Sequence, residues 1–241
     1  MQTQLAKRDQ ALSSMRASAV IRMRIPEGME GAPGGKVHAV VLAAARPERA
    51  RIEVLTPLGT PGATILIADG LLQVFQPFSN ELLKASLDSP DLAARSPFPI
   101  PMKSLPSLLR GSVPLLVGDV TETKVLATGS SGAATAIEVR AKDVLVQRVT
   151  VSNDGGYPTE DVHFENGAAV LTVQYLDYGA VKTEAGDVAV PQRVTASIVR
   201  PEGTATLDVA LSDPEIAPKL GGDAFTLTFD PARPPRVQEI R

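Results

Sequence analysis

Cysteine and tryptophan are both absent from the 241 residues, only two histidines occur, and aromatic residues make up 4%. Without cysteine the chain itself has no disulfides, no thiol catalysis and no thiolate metal site. The shortage of rings argues against a pocket that stacks sugars or nucleobases. Positive charge is not gathered anywhere: the formal net charge is -3 and no dense Lys/Arg run occurs, so no nucleic-acid partner is expected. No apolar run approaches the roughly 18 to 20 residues that a membrane-crossing helix needs. Neither a G-x-S-x-G elbow nor a G-x-x-x-x-G-K-[ST] loop is present. His38 and His163 stand far apart, each without a metal-spaced partner, and read as partly exposed strand residues. The acidic neighbours Asp119 with Glu122 and Glu160 with Asp161 read as solvated charge at strand ends. The stretch from Thr128 to Ala133 reads as a flexible hairpin, because no helix pattern follows to offer its N-terminus to a phosphate. No enzyme activity, cofactor or metal is expected.

Hydrophobic residues make up 44% of the chain, enough for a sizeable core, and the length allows one large β domain or two small ones. Residues 1–15 carry a weak helical pattern suited to a sheet edge. From Ala17 to Ile25 the period becomes two, with Ala19, Ile21 and Met23 on one face and Arg22 and Arg24 on the other. Lys36 to Ala45 is apolar on both faces, so one face meets a core or lid and the other something equally greasy. Strands continue over Arg51–Thr56, Thr64–Asp69, Leu71–Phe75 and Glu81–Ser86. The pattern breaks at 88–112, a Pro-rich insertion. Within it Ser104 is the expected N-cap, Gly111 the expected C-terminal stop, and Leu105, Leu108 and Leu109 form one face of a short helix. Lys103 and Arg110 flank that helix and either keep its outer face wet or meet lipid headgroups. Strands then resume to the end, the last expected at Ala224–Asp230. The fold class is therefore mainly β: one domain over 1–241, a curved antiparallel sheet forming an incomplete barrel, with an N-terminal helix and a helical lid.

The segment RIEVLTPLGTPGATILIADG, Arg51 to Gly70, reads as a hairpin that pushes Leu58 out at its tip between Pro57 and Gly59. Two readings stand: Leu58 folds back to plug the sheet edge, or it is exposed for a purpose. The inward faces are assigned to Ala19, Ile21 and Met23, then Ala39 and Val41, then Ile52 and Val54. These small and medium aliphatics are expected to leave a dry cavity beneath the lid, suited to acyl chains.

Pro57-Leu58-Gly59 at a strand end, Pro99-Ile100-Pro101-Met102-Lys103-Ser104-Leu105 some forty residues on, Leu109-Arg110-Gly111, and the stretch with Tyr175, Asp177 and Tyr178 together resemble LolB, the outer-membrane receptor for lipoproteins. More loosely they resemble its periplasmic relative LolA. The resemblance runs along nearly the whole chain. It implies a hydrophobic cavity for lipoprotein acyl chains, covered by a lid with Ile100, Met102, Leu105, Leu108 and Leu109, and a loop of Pro57, Leu58 and Gly59 that helps pass cargo into the outer-membrane surface. It further implies a periplasmic location and a LolA-like carrier as partner. LolB is anchored through a lipidated N-terminal cysteine and this chain has none, so the expectation is either a lipidated cysteine ahead of Met1 or a soluble periplasmic carrier. The alternative function is an envelope interaction module that docks a protein partner through Leu58.

Overall fold

The structure, a computed structural model, describes residues 2–26, 37–95, 102–113, 115, 122–128, 134–141, 143–184, 186–201 and 203–240. A helix α1 (Gln2–Ala11) leads into β1 (Ser14–Arg24), β2 (Val37–Ala45), β3 (Arg49–Leu55), β4 (Pro61–Ala68), β5 (Leu71–Gln76) and β6 (Glu81–Ser86). Two short helices follow, α2 (Pro90–Arg95) and α3 (Leu105–Leu109). The second run comprises β7 (Glu122–Thr128), β8 (Ala134–Ala141), β9 (Val144–Ser152), β10 (Pro158–Glu165), β11 (Ala168–Thr183), β12 (Gly186–Arg200), β13 (Gly203–Ile216) and β14 (Arg236–Ile240).

All fourteen strands lie in one open, curved sheet, in the order β14-β6-β5-β4-β3-β2-β1-β13-β12-β11-β10-β9-β8-β7. Two meanders thus join where β1 pairs with β13. Their tight turns follow from residues that tolerate positive φ, such as Asp69-Gly70 and Asn166-Gly167. β11 and β12 stay paired as far as Thr183 with Gly186.

Alternation decides the two faces. Ala17, Ala19 and Ile21 of β1 share the buried inner face with Val40, Leu42 and Ala44 of β2, Ile52 of β3, and Val194, Leu207 and Val209 from the second meander. The outer face of β2 to β5 is covered by the C-terminal segment: Phe225 is buried with Ala45, Leu66 and Ala68, and Phe229 meets Phe75 edge-on at 5.0 Å. This double covering is why β2 is apolar on both sides.

The C-terminal segment corrects the expected strand at Ala224–Asp230. Phe225, Leu227 and Phe229 alternate as a strand would, but the chain crosses the face of the sheet rather than running along an edge, so the alternation points side chains at the sheet without making a ladder. Beyond it, β14 pairs in parallel with β6, the one parallel pair among the described residues. Nothing in its sequence marked that return.

Candidate functional site: the lidded inner face and the hairpin tip

Helix α3 covers the inner face. Leu105, Leu108, Leu109 and the preceding Met102 are buried in the same cluster as Ala19, Ile21 and Ile52, with Met23 and Val54 packed against it. The helix ends where expected. Gly111 takes φ +69, its N–H donates to Leu108 O and the Ser112 N–H donates to Ser107 O, the paired bonds that close a helix on a left-handed residue. A β-carbon on Gly111 would stand 2.7 Å from Pro191 Cδ, so the lid terminus lies directly on β12. Ser104 occupies the N-cap position without capping. Its backbone is already helical and its side chain makes no cap bond, because a turn through Met102 leads into the helix.

Arg110 is the largest departure from the sequence reading. Instead of wetting the outer face of the lid it is 0% exposed, with Nη2 3.3 Å from Glu48 Oε1 and 3.6 Å from Asp9 Oδ1. Ser107 Oγ donates to Glu48 Oε2 at 2.7 Å, and Asp9 is bound in turn by Arg46 at 2.8 Å. The lid is therefore tied at one end to α1 and to the β2–β3 turn. An arginine one position after a leucine pair gives no sign in sequence that its partners are Glu48 and Asp9, far upstream in the chain. Lys103 does remain exposed, paired with Asp88.

The predicted inward residues divide. Ala19, Ile21 and Ile52 are buried on the inner face and Met23 and Val54 are partly buried there, but Ala39 and Val41 point outward. Register settles this: Ala19 pairs with Val40 and Val40 with Val54, so the even residues of β2 face the lid. An apolar run on both faces carries no period-two contrast, and a slip of one residue exchanges the faces. The signal lay one strand on, where Arg51 and Glu53 alternate with Ile52 and Val54 and the partners opposite must follow. Ile100, with Pro99 and Pro101, lies outside the described residues, as does Asp119.

The inner face is not uniformly apolar. Asp161 is buried and accepts a hydrogen bond from Gln147 Nε2 at 2.9 Å, while His163 Nε2 stands 3.1 Å from its other oxygen. The solvated Asp161 of the sequence reading is not found, whereas His163 is the partly exposed strand residue expected, here next to Asp161. With Ser104, Leu108, Leu171, Val173 and Tyr175 these two residues line the space under the lid, a gap of about 10 Å³, room for a single water at most. The roomy cavity expected from small inward residues is absent at this place because the lid leucines themselves fill it. Among the described residues, no group of three or more His, Asp or Glu side chains could hold a metal ion.

At the β3–β4 tip Leu58 does not fold back onto the sheet edge: it is 90% exposed, next to Gly59 at φ +76. The tip is braced by Thr56 N–H to Thr60 O, Gly59 N–H to Thr56 O and a hydroxyl pair between Thr56 and Thr60 at 2.9 Å. Phe78, 75% exposed on the neighbouring β5–β6 turn, comes close to the same hairpin, its ring 3.8 Å from where a β-carbon on Gly62 would stand. Sequence reasoning missed it, although a phenylalanine after Pro77 in a turn was the available cue.

These features place the chain in a class of folds. No family model matches the sequence and no curated protein matches it. Solved structures are similar. A LolA superfamily protein from Nitrosomonas europaea aligns over 94% of this chain and 97% of its own, with 17% identity and a TM-score of 0.61. A putative outer membrane lipoprotein-sorting protein domain from Vibrio parahaemolyticus aligns over 93% and 94%, with 13% identity and a TM-score of 0.64. A DUF1329 family protein from Desulfovibrio piger aligns over 93% and 95%, with 12% identity and a TM-score of 0.66. The fold is LolA-like. At these identities the likeness is one of fold and does not single out the LolB type.

Proposed function

We propose that the protein binds the acyl chains of a lipid or lipoprotein between the lid and the inner face, and releases them to a membrane through the Leu58 tip. The observation that carries the reading is the form of the cover: a separate leucine helix, hung on Arg110 and Gly111, closes an apolar sheet face that its own strands leave open. The lid leucines lie where the acyl chains would lie. Each buried leucine contributes about 1.5–3 kcal/mol and each acyl methylene about 0.8 kcal/mol, so about six to eleven methylenes match the docking of the three leucines. A diacyl or triacyl group exceeds that. The finer reading takes the family resemblance further: a LolB-like receptor on the periplasmic side of the outer membrane, supplied by a LolA-like carrier, with Pro57 and Gly59 setting the angle of Leu58.

The narrow gap under the lid favours a second reading, in which the inner face is permanently filled and Leu58 docks a protein partner. An environment-sensitive apolar dye separates the two. Binding of the dye, its displacement by a diacylated or triacylated lipopeptide, and no displacement by the same peptide without acyl chains support the carrier. A folded sample that takes up no dye, or equal competition by the unacylated peptide, sinks it in favour of the interaction module.

A further inference from the structure

Seven buried side-chain nitrogen or oxygen atoms among the described residues lack a hydrogen-bond partner, and five of them belong to three residues at the C-terminal end of the lid. They are Nε and Nη2 of Arg8, Nε and Nη1 of Arg110, and Oγ of Ser112. Buried donors left unmade are costly, and a group of them in one place calls for an acceptor. Charge is also unbalanced there. Asp9 and Glu48 serve Arg46 and one nitrogen of Arg110, whereas Arg8 makes no ion pair among the described residues. Its guanidinium lies 5.4 Å from the ring centroid of Tyr178, which is stacked on Tyr157 at 4.1 Å, and its Nη2 is 3.8 Å from the place of a β-carbon on Gly111. Burial pushes the Arg8 guanidinium below its ordinary value, against the opposing pull of Tyr178, Tyr175 and Tyr157, as befits a cation without a counter-ion.

Tyr175 joins this cluster to the gap under the lid. It lines the gap, and its hydroxyl donates to the Ser112 carbonyl at 3.4 Å. A chain lying under α3 would therefore bring its polar end to Ser112, Arg8 and Arg110. Asp161 also faces the gap, but Gln147 and His163 already hold its two oxygens.

We propose that Arg8, Arg110 and Ser112 form a recognition site for the anionic headgroup, a carboxylate or phosphate, of the acyl ligand, which deepens the acyl-binding reading and rests on it. Guanidinium groups suit such oxyanions because their planar N–H donors match the oxygen spacing, and charge-assisted bonds in a dry site are strong.

The test uses a fluorescent polyene fatty acid and the alcohol of identical chain. The wild type binds the acid about tenfold or more tightly than the alcohol, as a charge-assisted bond requires. Arg8→Gln brings that ratio close to one, Arg8→Lys keeps part of it, and Ser112→Ala lowers it less, with circular dichroism checking each fold. Equal binding of acid and alcohol by the wild type overturns the headgroup site while leaving the acyl-binding reading in place, and so does an undiminished ratio in Arg8→Gln. Should neither probe bind the wild type, both readings fall. Inorganic phosphate supplies the last arm: if it raises the melting temperature of the wild type but not of Arg8→Gln while acid and alcohol bind alike, the site takes a free anion and the headgroup assignment fails.

Discussion

Gly111 lies so close to Pro191 that a β-carbon added to the glycine would come within 2.7 Å of the proline Cδ. The contact joins the end of the lid to the middle of β12, and the left-handed backbone of Gly111 sets the direction in which the chain leaves it. Gly111→Ala meets both constraints at once. The left-handed conformation alone costs a residue with a β-carbon about 1–2 kcal/mol, and the clash adds to it. The expected result is a lower urea midpoint, with faster amide exchange confined to residues 105–112. An unchanged midpoint would show that the lid terminus is free to move off β12.

Glu48 holds the other side of the same junction, accepting from both Ser107 and Arg110. Glu48→Gln keeps the shape and removes the charge, leaving Arg110 with Asp9 alone at 3.6 Å. Hydrogen bonds to charged groups are worth about 1.5–3 kcal/mol. The lid should therefore exchange its amides faster and admit apolar dye at a higher rate, while strands β11 to β13 stay as protected as before. Slower dye entry would contradict the role of Glu48 in holding the lid down.

The two faces of β2 give a test between neighbours. Val40 is buried under the lid side and Val41 lies on the outer face, beside Arg51 and Leu220. Val40→Trp overfills the packed inner face, at a cost of about 1–3 kcal/mol, and should lower both stability and dye uptake. Val41→Trp points away from the lid and should leave dye uptake as it is. The reverse outcome would mean that the register of β1 with β2 is shifted by one residue.

Most of the sheet was legible because its strands are dry on one face and wet on the other, and because Asp69-Gly70 and similar pairs announce their turns. The lid was legible for the same kind of reason, three leucines between a proline-marked start and a glycine stop. What failed to show in sequence was what depends on partners far along the chain. Arg110 is buried because Asp9 and Glu48 come to it, Asp161 because Gln147 and His163 do, and Phe225 to Phe229 alternate without a ladder because they cross a sheet face. Local pattern also cannot orient a strand that is apolar on both sides, which is how Ala39 and Val41 were assigned to the wrong face.

Glu138 offers a pH test on the outer face of the second meander. It is buried, with one oxygen 2.9 Å from Arg140 Nη2 and the other 2.9 Å from Arg148 Nη2. The Arg140 bond, with help from Arg148 and against the desolvation that opposes them, holds its carboxyl below the ordinary value. A lowered folded-state value means the unfolded chain takes up the proton first. The stabilisation is therefore complete above the ordinary carboxylate range and is lost as pH falls through the folded-state value. Glu138→Gln should be less stable than the wild type at neutral pH, and the gap between their urea midpoints should close on acidification. A gap that stays constant with pH would assign the loss to packing instead of charge.

Leu58 is the sharpest test of the delivery reading, because the same substitution separates fold from function. Its hairpin is closed by hydrogen bonds between Thr56, Gly59 and Thr60, none of which uses the leucine side chain, and the side chain is 90% exposed. Leu58→Glu should therefore change stability by no more than about 0.5 kcal/mol. Burying one leucine in an apolar phase is worth about 1.5–3 kcal/mol, so transfer of a bound fluorescent acyl ligand to lipid vesicles should slow by about ten- to a hundredfold. Uptake of the ligand should persist, since Leu58 is exposed and is no part of the buried cluster under the lid. Phe78→Ser, which removes the second exposed apolar side chain at the hairpin, should slow transfer further when combined with Leu58→Glu. Normal transfer by Leu58→Glu would remove the tip from the delivery step, and a loss of folding would mean that the leucine supports the sheet edge instead.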